Sequence, residues 1–135
     1  MAVTATTVAR AARAEVRRVS FALPNNLTVT GKEASWATPN PKHRVLCVHG
    51  WMDNCGTWDR LLPLLPTDSH YVMIDLPGHG KSSMLPAYSF VDYCRCIHDV
   101  LRTLGWDKYT LMGHSMGAGI MYVGSVGHEY HRLPP

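Results

Sequence analysis

Two short stretches of the chain hold residue types that could carry out acyl transfer. In Gly113-His114-Ser115-Met116-Gly117 a serine stands between two glycines, after the β-like run Tyr109 to Met112 and before the apolar helical pattern of Ala118, Ile120, Met121 and Val123. A Gly-x-Ser-x-Gly between strand and helix is the setting of a nucleophile elbow. The turn is so tight that side chains larger than hydrogen at Gly113 and Gly117 would collide with neighbouring backbone. Ser115 is then held on a strained bend with its hydroxyl exposed, at the amino end of a helix whose dipole favours developing negative charge. The plainer alternative is an ordinary glycine-rich turn, and the flanking elements favour the elbow.

His49-Gly50-Trp51 directly follows the apolar run Arg44 to Val48. Attack on a carbonyl develops an oxyanion that needs two backbone N–H donors. Met116, the residue after the serine, supplies one; the loop of Gly50 and Trp51 supplies the other through Trp51. His49 braces that loop, and Trp51, Met52 and Met116 suggest an apolar pocket floor or, equally, packing residues. A glycine turn beside a core tryptophan is the alternative reading of the second stretch alone.

No local histidine reads as the general base. His114 should point away from the hydroxyl and pack, His79 belongs to a Pro-Gly-His-Gly turn, and His43, His70 and His98 read as surface or partly buried residues. His128 and His131 follow Ser115 by 13 and 16 positions. A continuous helix would carry them ~20 Å away, whereas a base must approach within about 3 Å. Gly80-Lys81-Ser82 resembles the end of a phosphate-binding loop, but the glycine required five positions earlier is Asp75, and Pro77 has no N–H to offer phosphate. Cys47, Cys55, Cys94 and Cys96 contain no CxxC pair and no zinc-like spacing. They read as reduced thiols, with Cys47 buried as a small apolar residue. No metal and no cofactor are expected.

These residues need a scaffold, and the pattern outlines one. Val16 to Leu23 and Leu27 to Thr30 predict a hairpin about Pro24-Asn25-Asn26. Arg44 to Val48 and Tyr71 to Asp75 read as strands buried on both faces. Between them, Thr57, Trp58, Leu61, Leu62 and Leu65 suggest a short helix bent at Pro63. The clearest helix carries Phe90, Tyr93, Cys94, Ile97, Val100, Leu101 and Leu104 at 3.6-residue spacing, capped by Ser89 with Asp92 and ended by Gly105. Strand alternating with helix predicts an α/β fold: a mostly parallel sheet with flanking helices, ending after the helix that follows Ser115. The expected organisation is a flexible basic tail over 1–14, the folded portion over 15–127 and an irregular tail over 128–135.

The 135 residues are 46% apolar and 17% charged, a composition that builds a core and excludes wholesale disorder. No apolar run approaches the ~20 residues needed to span a bilayer, so no integral membrane segment is expected. The net charge of +3 resides wholly in residues 1–20, four arginines against Glu15, which gives no support to a nucleic-acid surface. Asn26-Leu27-Thr28 matches a glycosylation sequon, yet no signal-peptide hydrophobic region is present, and the segment reads as a turn. The expected compartment is the cytoplasm, not the secretory route. The arginine-bearing N-terminus leaves a mitochondrial or other organelle address as the alternative.

Together, His49-Gly50-Trp51-Met52-Asp53-Asn54, Asp75-Leu76-Pro77-Gly78-His79-Gly80-Lys81-Ser82 and Gly113-His114-Ser115-Met116-Gly117 resemble three successive landmarks of the α/β-hydrolase fold. Trp58-Asp59-Arg60-Leu61-Leu62-Pro63-Leu64-Leu65-Pro66 resembles the serine hydrolase-like proteins of that superfamily, and the likeness covers about residues 15–123. It implies a Ser115 nucleophile, an oxyanion hole at Trp51 and Met116, and an ester- or acyl-cleaving hydrolase with a small-molecule acyl substrate. Related haloalkane dehalogenases and epoxide hydrolases use aspartate at the nucleophile position, and Ser115 argues against both. The family order places an acid and then a histidine downstream of the nucleophile. None of the residues in the twenty positions after Ser115 reads as placed to serve, so the expectation is a truncated α/β-hydrolase fold. The alternative function is an inactive fragment with at most an interaction role, its Tyr109 to Met112 strand left as an unpaired apolar edge.

Overall fold

The structure, a computed structural model, describes residues 13–37 and 39–130. The expected basic tail lies outside the described residues except for Arg13 and Ala14. Strands β1 (Glu15–Leu23) and β2 (Leu27–Ser35) form an antiparallel hairpin through a 3-10 turn at Pro24–Asn26. Asn26 takes φ 58°, a left-handed conformation that asparagine tolerates better than most residues. β2 outruns the expected Thr30 because both of its edges are paired: β1 lies along one, and Gly31 to Ala34 pair antiparallel with β4 (Ser69–Ile74) along the other. β4 pairs parallel with β3 (His43–Val48), which in turn pairs parallel with β5 (Thr110–Gly113). The sheet order is therefore β1-β2-β4-β3-β5.

The continuous apolar runs of β3 and β4 occupy the middle of the sheet, where both faces are covered. Leu46, Val48, Val72 and Ile74 face one core with Tyr93, Ile97, Val100, Leu101 and Ile120. Val45, Cys47, Tyr71 and Met73 face the other with Trp36, Cys55, Trp58 and Leu62. Alternate residues of one strand thus feed opposite cores, as the two-residue period of a strand requires. The first core is roofed by α1 (Phe90–Leu104) and α2 (Met116–Tyr130).

α1 has the expected bounds. The Ser89 hydroxyl accepts the Asp92 amide at its start, and Gly105 closes it in a left-handed conformation. Two other expectations are corrected. Instead of a bent helix after β3, the chain makes two separate 3-10 turns, Cys55–Trp58 and Leu62–Leu64. Asn54 caps the first, Pro63 is the second residue of the other, and only Cys55, Trp58 and Leu62 turn inward, too few for a continuous helical stripe. At the other end, α2 continues to Tyr130, so residues 128–130 extend the helix rather than begin an irregular tail. A glycine inside a helix costs only about 1 kcal/mol, and burial of Ile120 and Met121 offsets that at Gly119 and Gly124. Residues 131–135 lie outside the described residues. No helix among the described residues is long and apolar enough to cross a membrane.

Two predictions follow from the packing. A Cβ at Gly31 would lie 2.2 Å from the Met73 carbonyl oxygen, so Gly31→Ala should lower stability by about 2–3 kcal/mol in urea unfolding through forced separation of β2 and β4. Burial pushes the Cys47 and Cys96 thiols up to about 12, and burial together with the Asp75 carboxylate pushes Cys55 to about 11. Pulse alkylation at neutral pH read by mass spectrometry should therefore modify these three only after unfolding.

Candidate active site

β5 runs through one tight bend into α2, and Ser115 sits at the bend with φ 53°, exposed to solvent. A non-glycine residue there is strained and persists only because its surroundings enforce it. The enforcement is visible in the backbone. The His114 amide donates to the Val48 carbonyl at 3.1 Å, extending the β3–β5 ladder, while the Gly117 amide donates to the His114 carbonyl and the Ala118 amide to the Ser115 carbonyl, each at 3.0 Å. Strand pairing thus gives way to helix within two residues. A Cβ at Gly113 would stand 2.6 Å from the Ala118 nitrogen, and one at Gly117 would stand 2.3 Å from the Val48 oxygen. Both glycines are required by close approach, as their spacing about the serine implies. Met116 is the first residue of α2, so its N–H is among those a helix start leaves without an intrahelical acceptor.

The loop after β3 abuts this bend. A Cβ at Gly50 would lie 3.2 Å from both Ser115 Cβ and His114 Nδ1. His114, expected to point away from the hydroxyl and pack, is exposed, with Nδ1 facing Gly50. β5 is the outer strand of the described sheet, and its end is not enclosed. Trp51 and Met52 are 74% and 83% exposed, whereas Met116 packs partly against the first core.

His49 is fully buried beneath the loop. The Leu76 amide donates to its Nε2 at 3.0 Å, which leaves the proton on Nδ1, and Nδ1–H donates to the Gly50 carbonyl at 2.6 Å. Burial holds its pKa below the ordinary value, keeping the ring neutral and both bonds intact. Across a trans peptide the C=O and N–H point in opposite directions. Fixing the Gly50 oxygen inward therefore directs the Trp51 N–H away from the buried imidazole. His49 thus bonds the Gly50 carbonyl on one loop and the Leu76 amide on the other.

Two residues near the site have partners that the sequence reading did not assign. Asp75, almost fully buried at the end of β4, accepts the Cys55 amide at 2.7 Å, the Thr30 hydroxyl at 2.9 Å and the Lys81 amide at 3.4 Å. Burial alone would raise its pKa, but these donors and the Cys55 thiol outweigh it and keep the carboxyl below the usual carboxylate value of 3.8. His79 accepts the Met52 amide at Nε2. The available signals were an acid ending an apolar strand and a histidine between two glycines, neither of which reveals its partner. Among the described residues, Ser115 Oγ has no hydrogen-bond partner, and no group of three or more metal-binding side chains occurs.

A family model for the α/β-hydrolase fold matches residues 43–123, from the start of β3 into α2. The chain belongs to this family. A probable serine hydrolase of Drosophila melanogaster is 42% identical over 107 residues, which cover 75% of this chain and 32% of that protein. A serine hydrolase-like protein of Danio rerio is 45% identical over 85 residues, covering 61% and 26% respectively. This chain thus spans about a quarter to a third of these curated relatives. An α/β-hydrolase of Novosphingobium aromaticivorans superposes with a TM-score of 0.76 at 18% identity, covering 87% of this chain and 41% of the other. An epoxide hydrolase of Vigna radiata does so with 0.73 at 21% identity, covering 85% and 36%. At those identities the two structures establish the fold alone.

The Asp75 bonds yield a prediction with a definite sign. A carboxyl whose folded pKa lies below its unfolded value stabilises the fold above the unfolded value, and that contribution is lost as pH falls through the lower folded value. Asp75→Ala leaves buried donors unanswered and should cost about 2–4 kcal/mol in urea unfolding at neutral pH. Its stability should also fall less steeply than wild type below pH about 4, because the titrating group is gone.

Proposed function

We propose that this chain contributes the nucleophile half of a serine hydrolase acting on an ester or other small-molecule acyl substrate. Ser115 is the nucleophile, and the amides of Trp51 and Met116 form the oxyanion hole. The observation that carries this reading is the exposed serine in a left-handed conformation, abutted by a loop whose peptide is oriented by a buried histidine. Ser115 Oγ attacks the carbonyl carbon as its proton passes to a base. The carbonyl oxygen becomes an alkoxide held by two N–H groups; collapse expels the alcohol and leaves an acyl-serine. Water then attacks the acyl carbon, releasing the acid and restoring the serine. Residues 113–117 form the nucleophile elbow of this scheme, which calls for no metal, cofactor or nucleic acid. A relative named monoacylglycerol lipase in Xenopus laevis, 34% identical over 97 residues, is consistent with an acyl substrate.

A second reading rests on the unpartnered Ser115 hydroxyl. No described histidine bonds to it, and loss of a triad histidine costs about 10⁶-fold in rate. The 135-residue polypeptide alone would then hold the family's fold without turnover.

Two measurements test these readings. In the longest natural form of the protein, a fluorophosphonate probe should label Ser115, and Ser115→Ala should abolish the label; labelling that survives the substitution, or none at all, defeats the nucleophile assignment. The 135-residue chain should hydrolyse a p-nitrophenyl ester no faster than its Ser115→Ala variant. A rate at least tenfold above that variant would overturn the second reading.

A further inference from the structure

The loop that carries the Trp51 amide is not held by burial. Trp51 and Met52 are its most exposed residues, and Met52 adopts φ 60°, a left-handed conformation that costs a non-glycine residue on the order of 1 kcal/mol. Polar contacts from beneath must keep it in place. On one side His49 grips the Gly50 carbonyl. On the other, the Met52 N–H reaches His79 Nε2 at 3.3 Å, while His79 Nδ1 donates to the Pro77 carbonyl at 3.1 Å. The two rings stand 4.9 Å apart, and Tyr93 flanks His79 at 6.5 Å. His79 is itself set by its turn: its amide donates to the Leu76 carbonyl at 2.9 Å, and its carbonyl accepts the Ser82 amide at 3.0 Å.

We infer that His79 is a positioning residue for the oxyanion loop, clamping the strained Met52 amide so that Trp51 is held between two imidazoles in the same Nδ1–H tautomer, His49 on the Gly50 carbonyl before it and His79 on the Met52 N–H after it. This rests on the assignment of the Trp51 amide to the oxyanion hole. His79 touches neither substrate nor Ser115. It acts through the backbone, presetting the direction of an N–H before substrate arrives, which is where an oxyanion hole gains its advantage over water. Lysine or arginine at position 79 could not serve, since neither offers an acceptor. Glutamine could, through its amide oxygen.

Nitrogen NMR of the wild-type chain should show His79 protonated on Nδ1 and bare on Nε2; a proton on Nε2 overturns the proposal without any variant. In His79→Leu, exchange of the Met52 amide should accelerate about tenfold, the scale set by one lost backbone hydrogen bond, while His79→Gln should stay within about threefold of wild type. In the longest natural form, fluorophosphonate labelling of Ser115 should slow about tenfold in His79→Leu with the probe's apparent binding constant unchanged, and glutamine should restore it. Unchanged Met52 exchange in a folded His79→Leu protein refutes the clamp. Protected Met52 together with an unlabelled wild-type Ser115 upholds the clamp and refutes the nucleophile assignment instead.

Discussion

The two loops that leave the carboxyl ends of β3 and β4 depend on a set of side chain to backbone hydrogen bonds between them. Parallel pairing places the two strand ends side by side, and buried polar groups fasten what comes next. Leu76 donates to His49, Cys55 donates to Asp75, and Met52 donates to His79. Each bond joins the segment 49–55 to the segment 75–79, so neither loop has a defined shape without the other. Because His49 and Asp75 are buried, leaving any of these groups unpaired would cost far more than the modest net gain of a surface hydrogen bond.

The serine bend is built on a different principle. No side chain holds it; backbone does, through the Val48 carbonyl that accepts the His114 amide and through the first turn of α2. The same carbonyl blocks a Cβ at Gly117, so one oxygen at the end of β3 both anchors the bend and dictates glycine in it. β3 therefore serves two neighbours, ending in the histidine that orients one loop and in the carbonyl that fixes the other.

What the sequence disclosed and what it withheld divide along physical lines. Gly113, Ser115 and Gly117 lie within five residues, so their spacing was legible, although the Val48 carbonyl that enforces glycine at 117 was not. The bounds of α1 were legible because Ser89, Asp92 and Gly105 are caps that act on their own helix. The two cores were legible as apolar runs in β3 and β4. Asp75 and His79 were not, because their partners Thr30, Cys55 and Met52 are 20 to 45 positions away, a distance no periodicity encodes. The extension of β2 to Ser35 also escaped, since a strand rich in Thr, Lys and Glu gains its pairing from β4. The exposure of His114 depends on its position at the sheet's outer strand, which local spacing does not convey.

The strand order carries a consequence for how the chain assembles as it leaves the ribosome. β2 and β3 are consecutive in synthesis yet are separated in the finished sheet by β4. Until residue 74 has emerged, both flank a gap whose filler does not yet exist, and each presents an unsatisfied row of amides and carbonyls. Direct association of β2 with β3 would be a kinetic trap that must dissolve before β4 can slot between them. The connector between these early strands carries Pro39-Asn40-Pro41, which lacks two backbone donors and so adds no ladder of its own to either.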